Sequence, residues 1–244
     1  MDKLEQYNAW HERLAGAEAD GSVLQHPWYV TVARLLPDLS GQRVLEIGCG
    51  RGDFSIWLAG KYADARVVGV DFSEAAIATA EKRAAARGST AEFKVEDAES
   101  LSFEDGSFDY VISCECMEHV PRPERMASEI HRVLRAGGQF TLTTENYFNG
   151  MILQWLKTWT TGAPFDSGSG VQPHENFFLF WRVKKILESG GLKVKEMESN
   201  HYQWLLLPRT DPMKLVTLDF ESRLLKRVFR PFGRHFTFCG VRPD

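Results

Sequence analysis

A chain of 244 residues is long enough to bury a substantial core as one domain without disulfide staples. With 43% hydrophobic and 25% charged residues and a net charge of −4, it is ordinary globular material, lacking the basic stripe of a nucleic-acid binder. No apolar run reaches the roughly 20 residues a membrane span needs, so no integral membrane segment is expected. The polar start, Met1 to Gly16, has no signal-peptide core, and a cytoplasmic location is the expectation. Cys49, Cys114, Cys116 and Cys239 fit neither zinc-ribbon nor disulfide spacing.

Residues 1–37 read as helical, with Tyr7, Trp10 and Leu14 at helical spacing and a second periodic stretch over Trp28–Leu36. A different rhythm starts at Arg43–Ile47, a short apolar run that stops at glycines and is followed by a helical stretch over Asp53–Tyr62. Arg66–Val70 is the next strand and ends at Asp71. Ser73 has the character of an N-cap, Ala75–Arg87 is alanine-rich, and Gly88 is a stop signal. Ala91–Val95 and Ser107–Ser113 are further strands. Glu124–Leu134 is a helix ending at Gly137-Gly138, and Gln139–Thr144 is a fifth strand. Beyond residue 146 the alternation breaks. An aromatic, glycine-containing insert leads to a helix over Trp181–Ser189, a strand over Leu192–Glu198, a helix over about Pro212–Val228 and a last strand over His235–Val241. The basic run Arg223–Arg234 reads as the solvated face of a helix.

Strands alternating with helices give an α/β fold with a mostly parallel sheet covered on both faces. The expected organisation is a single domain: a helical cap over 1–40, a core over 41–146, an insert over 147–179 and the rest of the sheet over 180–244. Ligands of such sheets bind outside the carboxyl ends of the strands. The informative residues are therefore Glu46–Gly52, Asp71-Phe72, Asp97-Ala98, Cys114–His119 and Thr144–Asn146.

The first of these is the loop Glu46-Ile-Gly-Cys-Gly-Arg-Gly52. Gly48, Gly50 and Gly52 let the backbone turn sharply and approach a ligand closely, with Cys49 between the first two. The spacing is G-x-G-x-G, whereas a dinucleotide loop reads G-x-G-x-x-G. Asp53 stands where that fingerprint wants its third glycine, and it would repel a pyrophosphate, which argues against a nicotinamide-dependent oxidoreductase. Asp71 ends the second strand about 20 residues on, where an acid can accept from ribose hydroxyls; a helix-terminal acid is the alternative. Asp97, after the third strand, can accept from an exocyclic amine or be a surface loop acid.

These residues resemble the class I S-adenosylmethionine-dependent methyltransferases. The likeness runs from Arg43 to Thr144 and takes in the E-x-G-x-G-x-G loop, Val70–Ser73, Asp97–Glu99, Asp105–Asp109, Glu118–Pro123 and Leu134–Gly138. It implies a Rossmann-like seven-stranded sheet of order 3-2-1-4-5-7-6, with the last strand antiparallel, and S-adenosylmethionine as cofactor. It also implies that Gly48 and Gly50 admit the methionine part, Asp71 holds the ribose and Phe72 packs on adenine. Asp97 and Ala98 would read the adenine edge, and Cys114 would offer main-chain contact. The cofactor is cationic and phosphate-free, so a cleft lined by Glu46, Asp71, Asp97 and Glu115 suits it.

The acceptor is expected to be a small molecule, most simply a hydroxyl of a sugar- or lipid-linked metabolite. Nitrogen or carbon acceptors, and a non-catalytic cofactor-binding subunit, stay open. A hydroxyl acceptor usually needs a base within reach. His119, in Glu118-His119-Val120-Pro121, is either that base or a tie within its loop. His174, in Gln172–Phe178, resembles an H-x-x-F-F segment of bacterial methyltransferases of sugar, lipid and quinone pathways, and is either an acceptor contact or a cap. Glu118, His119, His174 and Glu175 match no compact ligand motif, so no metal is expected. A homodimer is one assembly such a domain can form.

Overall fold

Seven strands lie in one sheet of order β3-β2-β1-β4-β5-β7-β6, the order that the resemblance implies. They are β1 (Arg43–Ile47), β2 (Arg66–Asp71), β3 (Glu92–Val95), β4 (Phe108–Cys114), β5 (Leu134–Glu145), β6 (Lys193–Tyr202) and β7 (Gly233–Val241). The helices are α1 (Pro27–Leu35), α2 (Asp53–Lys61), α3 (Glu74–Arg87), α4 (Pro123–Val133) and α5 (Phe180–Ser189). This is a computed structural model describing residues 26–62, 64–146, 178–202 and 233–244, with Glu5, Tyr7–Ala9, Trp159, Gly162, Asn176, Val228, Phe229 and Pro231. Apart from Val228, the helix expected over about 212–228 lies outside the described residues.

The pairs β1·β2, β1·β4, β2·β3 and β4·β5 are parallel. β7 runs antiparallel to both β5 and β6. The central strands β1 and β4 are buried on both faces, which is why they read as nearly unbroken apolar runs rather than alternating ones. On one face Leu45, Val111, Phe140 and Phe238 pack under α4 and α5. Met126, Ala127, Ile130 and Val133 form the apolar stripe of α4 and are at most 1% exposed. On the other face Val44, Tyr110 and Ile112 meet Phe54 and Leu58 of α2 and Val32 of α1.

The helix signals at α3 are realised in full. The Ser73 hydroxyl accepts from the Ala76 N–H at 3.2 Å, and Gly88 ends the helix in the left-handed region at φ +60°. The start of β5 differs from the sequence reading. The strand begins at Leu134, directly after α4, and carries Gly137-Gly138 within it. Its register with β4 jumps from Phe108↔Leu134 to Tyr110↔Gln139, so the extra residues form an irregular bulge that uses Gly137 at φ +70°. Pairing with Phe108 thus overrides the stop signal of the two glycines.

Gly240 of β7 has no room for a side chain. An added Cβ would stand 2.2 Å from the Lys193 carbonyl oxygen and 2.6 Å from the Phe140 ring. Backbone cannot yield as a flexible side chain can, so Gly240→Ala is expected to lower the unfolding free energy by about 3 kcal/mol. Urea denaturation checks this; an unchanged midpoint would show that β6 and β7 separate without cost.

Candidate active site

The carboxyl ends of β1, β2, β3 and β4 open on one crevice, and the loop after β1 forms its floor. The N–H groups of Gly48 and Cys49 both donate to the Val70 carbonyl, at 2.8 and 2.9 Å, which folds the loop back against β2. Gly48 sits at φ +77°, and a Cβ there would lie 2.5 Å from Cys116 Sγ. Gly52, at φ +79°, is the N-cap of α2, and a Cβ there would meet the Phe93 ring at 2.7 Å. Glycine is required at both positions by conformation and by space.

Asp71 ties three elements together. Its Oδ2 accepts from the Gly50 N–H and its Oδ1 from the Ser73 N–H, each at 2.9 Å. The acid therefore serves the start of α3 and also holds the glycine loop. Phe72, next to it, meets the edge of the Tyr7 ring at 6.5 Å. The Tyr7 hydroxyl donates to the His119 carbonyl at 3.2 Å, so this one residue spans the crevice from the end of β2 to the loop after β4. Asn8 Oδ1 accepts from the Ser73 hydroxyl at 2.7 Å.

Asp97 is exposed, and its Oδ1 accepts from the Glu99 N–H at 2.9 Å in a tight turn. Ala98 is half-buried against the main core. Asp53 is paired with Arg83 Nη1 through both carboxylate oxygens, at 2.8 and 2.7 Å, so its charge is already answered.

Glu46 is fully buried beneath the loop. Its Oε2 accepts from the Ser55 hydroxyl, while its Oε1 has no hydrogen-bond partner. Burial pushes its carboxyl up to about 7. Burial likewise raises the Cys49 and Cys114 thiols well above their ordinary value, so neither is a ready nucleophile. All four cysteines are free, as their spacing implies.

After β4, Glu115 takes the left-handed conformation at φ +49° and its N–H donates to the Thr143 carbonyl at 3.1 Å. Its Oε2 lies 3.1 Å from His235 Nδ1. Glu118 is buried, accepts from the Thr144 hydroxyl at 2.9 Å, and has Oε1 3.9 Å from His119 Nε2. Burial first, and then the neighbouring Glu115 charge, push its carboxyl up to about 8. His119 is half-buried on the crevice rim. His174 lies outside the described residues. Asn176, two positions further along the chain, donates from its N–H to the Glu118 carbonyl and from Nδ2 to the Val120 carbonyl, both at 2.6 Å.

Sequence reasoning missed His235 and gave Glu145 no role. The two are directly opposed on β7 and β5 at the rim near Glu115. The signal that could have found His235 is strand direction. An antiparallel strand brings its first residues, not its last, to the rim where parallel strands end.

A crevice with glycine-lined backbone, a carboxylate held by two amides and a buried acid with an unused oxygen suits a cationic nucleotide without phosphate. The class so defined is a nucleotide-binding α/β enzyme. A methyltransferase-domain family matches residues 44–138. The chain is 31% identical over 167 residues to the ubiquinone biosynthesis O-methyltransferase of Coxiella burnetii, covering 67% of this chain and 69% of that one. A Haloferax volcanii methyltransferase solved in complex with the Trm112 methyltransferase activator superposes with a TM-score of 0.68 at 24% identity, covering 100% of this chain and 98% of that one. Phosphoethanolamine N-methyltransferase 2 of Haemonchus contortus, solved with phosphomonomethylethanolamine and S-adenosylhomocysteine, superposes with a TM-score of 0.63 at 22% identity, covering 88% and 53%. The chain belongs to the class I S-adenosylmethionine-dependent methyltransferases, and S-adenosylmethionine is its cofactor. Among the described residues no helix is long and apolar enough to cross a membrane.

The raised Glu46 carboxyl has a consequence for stability. Below about pH 4.5 it is protonated in both the folded and the unfolded chain. As the pH rises towards 7 the unfolded chain loses this proton first, so stability falls through that window and then levels off. In Glu46→Gln the loss between pH 5 and 7.5 is expected to shrink by on the order of 2 kcal/mol. Urea denaturation of the cofactor-free protein across that range measures it, and equal slopes for both proteins would refute the assignment.

Proposed function

We propose that this chain methylates a hydroxyl oxygen of a small sugar- or lipid-linked metabolite in the cytoplasm. The observation that carries the oxygen assignment is the relation to the Coxiella burnetii O-methyltransferase, which extends over 69% of that protein's length.

The donor end of the crevice is the side built on β1, β2 and β3. There Gly48, Cys49, Gly50 and Gly52 seat the methionine part of the cofactor along bare backbone, and the main chain of Cys114 and Glu115 meets its aminoacyl end. Asp71 binds the ribose hydroxyls. A carboxylate has about four lone-pair sites, and the two amide bonds use one on each oxygen. Phe72 and Ala98 pack on adenine, and Asp97 accepts from its amine. Glu46 lies below as a buried acid that a nearby cation would ionise. When bound, the sulfonium supplies an electrophilic methyl group with a neutral thioether as leaving group.

At the acceptor end the residues would hold the substrate hydroxyl in line with that methyl group. His119 takes the proton that the hydroxyl gives up, and His174 contributes to binding the acceptor. The bond from Tyr7 to the His119 carbonyl supports this by fixing the rim and screening the crevice from water.

Each charged hydrogen bond contributes about 1.5–3 kcal/mol. Asp71→Ala is accordingly expected to weaken S-adenosylhomocysteine binding by about one to two orders of magnitude in calorimetry; unchanged affinity would remove Asp71 from the site. A general base contributes at least about 100-fold. His119→Ala is expected to lower kcat by about that factor while leaving S-adenosylhomocysteine affinity within about threefold. The reading as a whole is tested with methyl-labelled donor and a panel of hydroxylated quinols, sugars and lipid head groups. Label recovered on oxygen is the expected product; label on nitrogen or carbon would overturn the oxygen assignment.

A further inference from the structure

We propose that Glu99 and Arg122 are positioning residues that tie the adenine side of the crevice to the loop carrying His119, so that donor binding sets where His119 stands. This rests on the proposed function, in which adenine packs on Phe72 and Ala98 and His119 takes the acceptor's proton.

The loop after β4 runs from Glu115 to Arg122, where α4 begins. Successive carbonyls in it are held from outside. Those of Glu118 and Val120 accept from Asn176, and that of His119 accepts from Tyr7. The far end of the loop is held by Glu99. Its Oε1 accepts from the Arg122 N–H at 2.9 Å and its Oε2 from Arg122 Nε at 2.5 Å. The Glu99 side chain is 4% exposed and that of Arg122 57%. A buried carboxylate is thus satisfied by one residue, through main chain and side chain together, and charge-assisted bonds of this kind are short and strong.

Both ends of this strut lie close to the site. Asp97 and Ala98 directly precede Glu99. Their turn is closed by Asp97, whose Oδ1 accepts from the Glu99 N–H and whose carbonyl accepts from the Ser100 N–H, each at 2.9 Å. At the other end Arg122 stands three residues past His119. Little slack lies between. The His119 N–H donates to the Cys116 carbonyl at 2.9 Å, the Val120 N–H donates to the Met117 carbonyl at 3.2 Å, and Pro121 has a fixed φ.

Holding the chain against α4 does not require the strut. The Leu101 N–H donates to Glu129 Oε2 at 2.7 Å, and Arg132 donates to the Leu101 and Phe103 carbonyls at 2.8 and 2.6 Å. Those bonds already fasten the segment after Ser100. What Glu99 adds is a fixed distance from the Asp97-Ala98 turn to the His119 loop. A second link has similar ends. Tyr7 meets Phe72 with its ring and the His119 carbonyl with its hydroxyl. Phe72 follows β2 and Ala98 follows β3, so both flanks of the adenine seat are joined to one loop. Chains of packed and hydrogen-bonded groups are the physical carriers of coupling between sites. Misplacing a reacting group by about 1 Å can cost about 100-fold in rate, so tying His119 to the donor's seat reserves the productive geometry for the loaded enzyme.

Amide hydrogen exchange on the full chain, with and without saturating S-adenosylhomocysteine, tests this. In the unaltered chain the compound is expected to slow exchange at the His119 and Val120 amides by about tenfold. In Arg122→Ala, a change at a mostly exposed side chain, that slowing is expected to fall below about threefold while the slowing at Cys49 and Gly50 persists. A merely structural strut would speed exchange equally in both states and leave their ratio unchanged. An unchanged ratio in Arg122→Ala would overturn the proposal, as would no slowing at His119 in the unaltered chain, a result that needs no variant to fold. With an acceptor identified by methyl labelling, Arg122→Ala is expected to lower kcat at least about tenfold with the donor KM within about threefold; an unchanged kcat would overturn the positioning role. Binding of S-adenosylhomocysteine without slowing in the loop refutes the coupling alone, whereas no binding by the unaltered chain refutes the crevice assignment beneath it.

Discussion

The Asp71 carboxylate is the joint on which the crevice is built. One oxygen holds the Gly50 N–H of the glycine loop and the other holds the Ser73 N–H at the head of α3. The Asp71 carbonyl accepts from the Glu96 N–H, which brings the end of β3 into the same network. Ser73 in turn donates to Asn8 from the N-terminal segment. The ends of β1, β2 and β3, the start of α3 and part of the N-terminal segment thus meet at one acid. It is stabilised by backbone amides rather than by a basic side chain, so its negative charge stays available to a ligand.

This arrangement explains why the donor half was largely legible in the sequence. Strands buried on both faces leave continuous apolar runs, and helices announced by Ser73 and stopped at Gly88 leave their own punctuation. The glycine spacing and the acid at the end of β2 are local features too. What failed was local reasoning about residues with distant partners. Gly137-Gly138 reads as the end of a helix, yet the strand that contains it is fixed by pairing with Phe108, far back in the chain. Asp53 reads as a charge facing a ligand, yet Arg83 of α3 neutralises it.

The acceptor half was less legible for a geometric reason. The expectation that candidate residues follow strands applies to parallel strands, and Glu115, Glu118 and His119, picked out in that way, do lie together at the rim. β7 is antiparallel, so its contribution to the rim comes at its beginning, where the sequence shows only an ordinary histidine in an apolar strand. His235 becomes interpretable once its register with Glu145 is known. Spacing along the chain cannot reveal such a grouping, because residues 115, 145 and 235 are neighbours only through the sheet.

The two ends of the crevice therefore differ in what they are made of. The donor end is mostly backbone with a few acids, so it tolerates wide sequence change around a fixed shape. That fits a fold shared with other solved structures at 24% and 22% identity. The acceptor end is built from side chains, among them Glu118, His119, Glu145 and His235, and it is latched to the segment before α5 through Asn176. On the proposed reading, changing one of those side chains alters the chemistry offered to the substrate without touching the seat of the methyl donor. On that reading, the choice of acceptor falls to β5, β7 and the loop after β4, on a platform that Asp71 keeps constant.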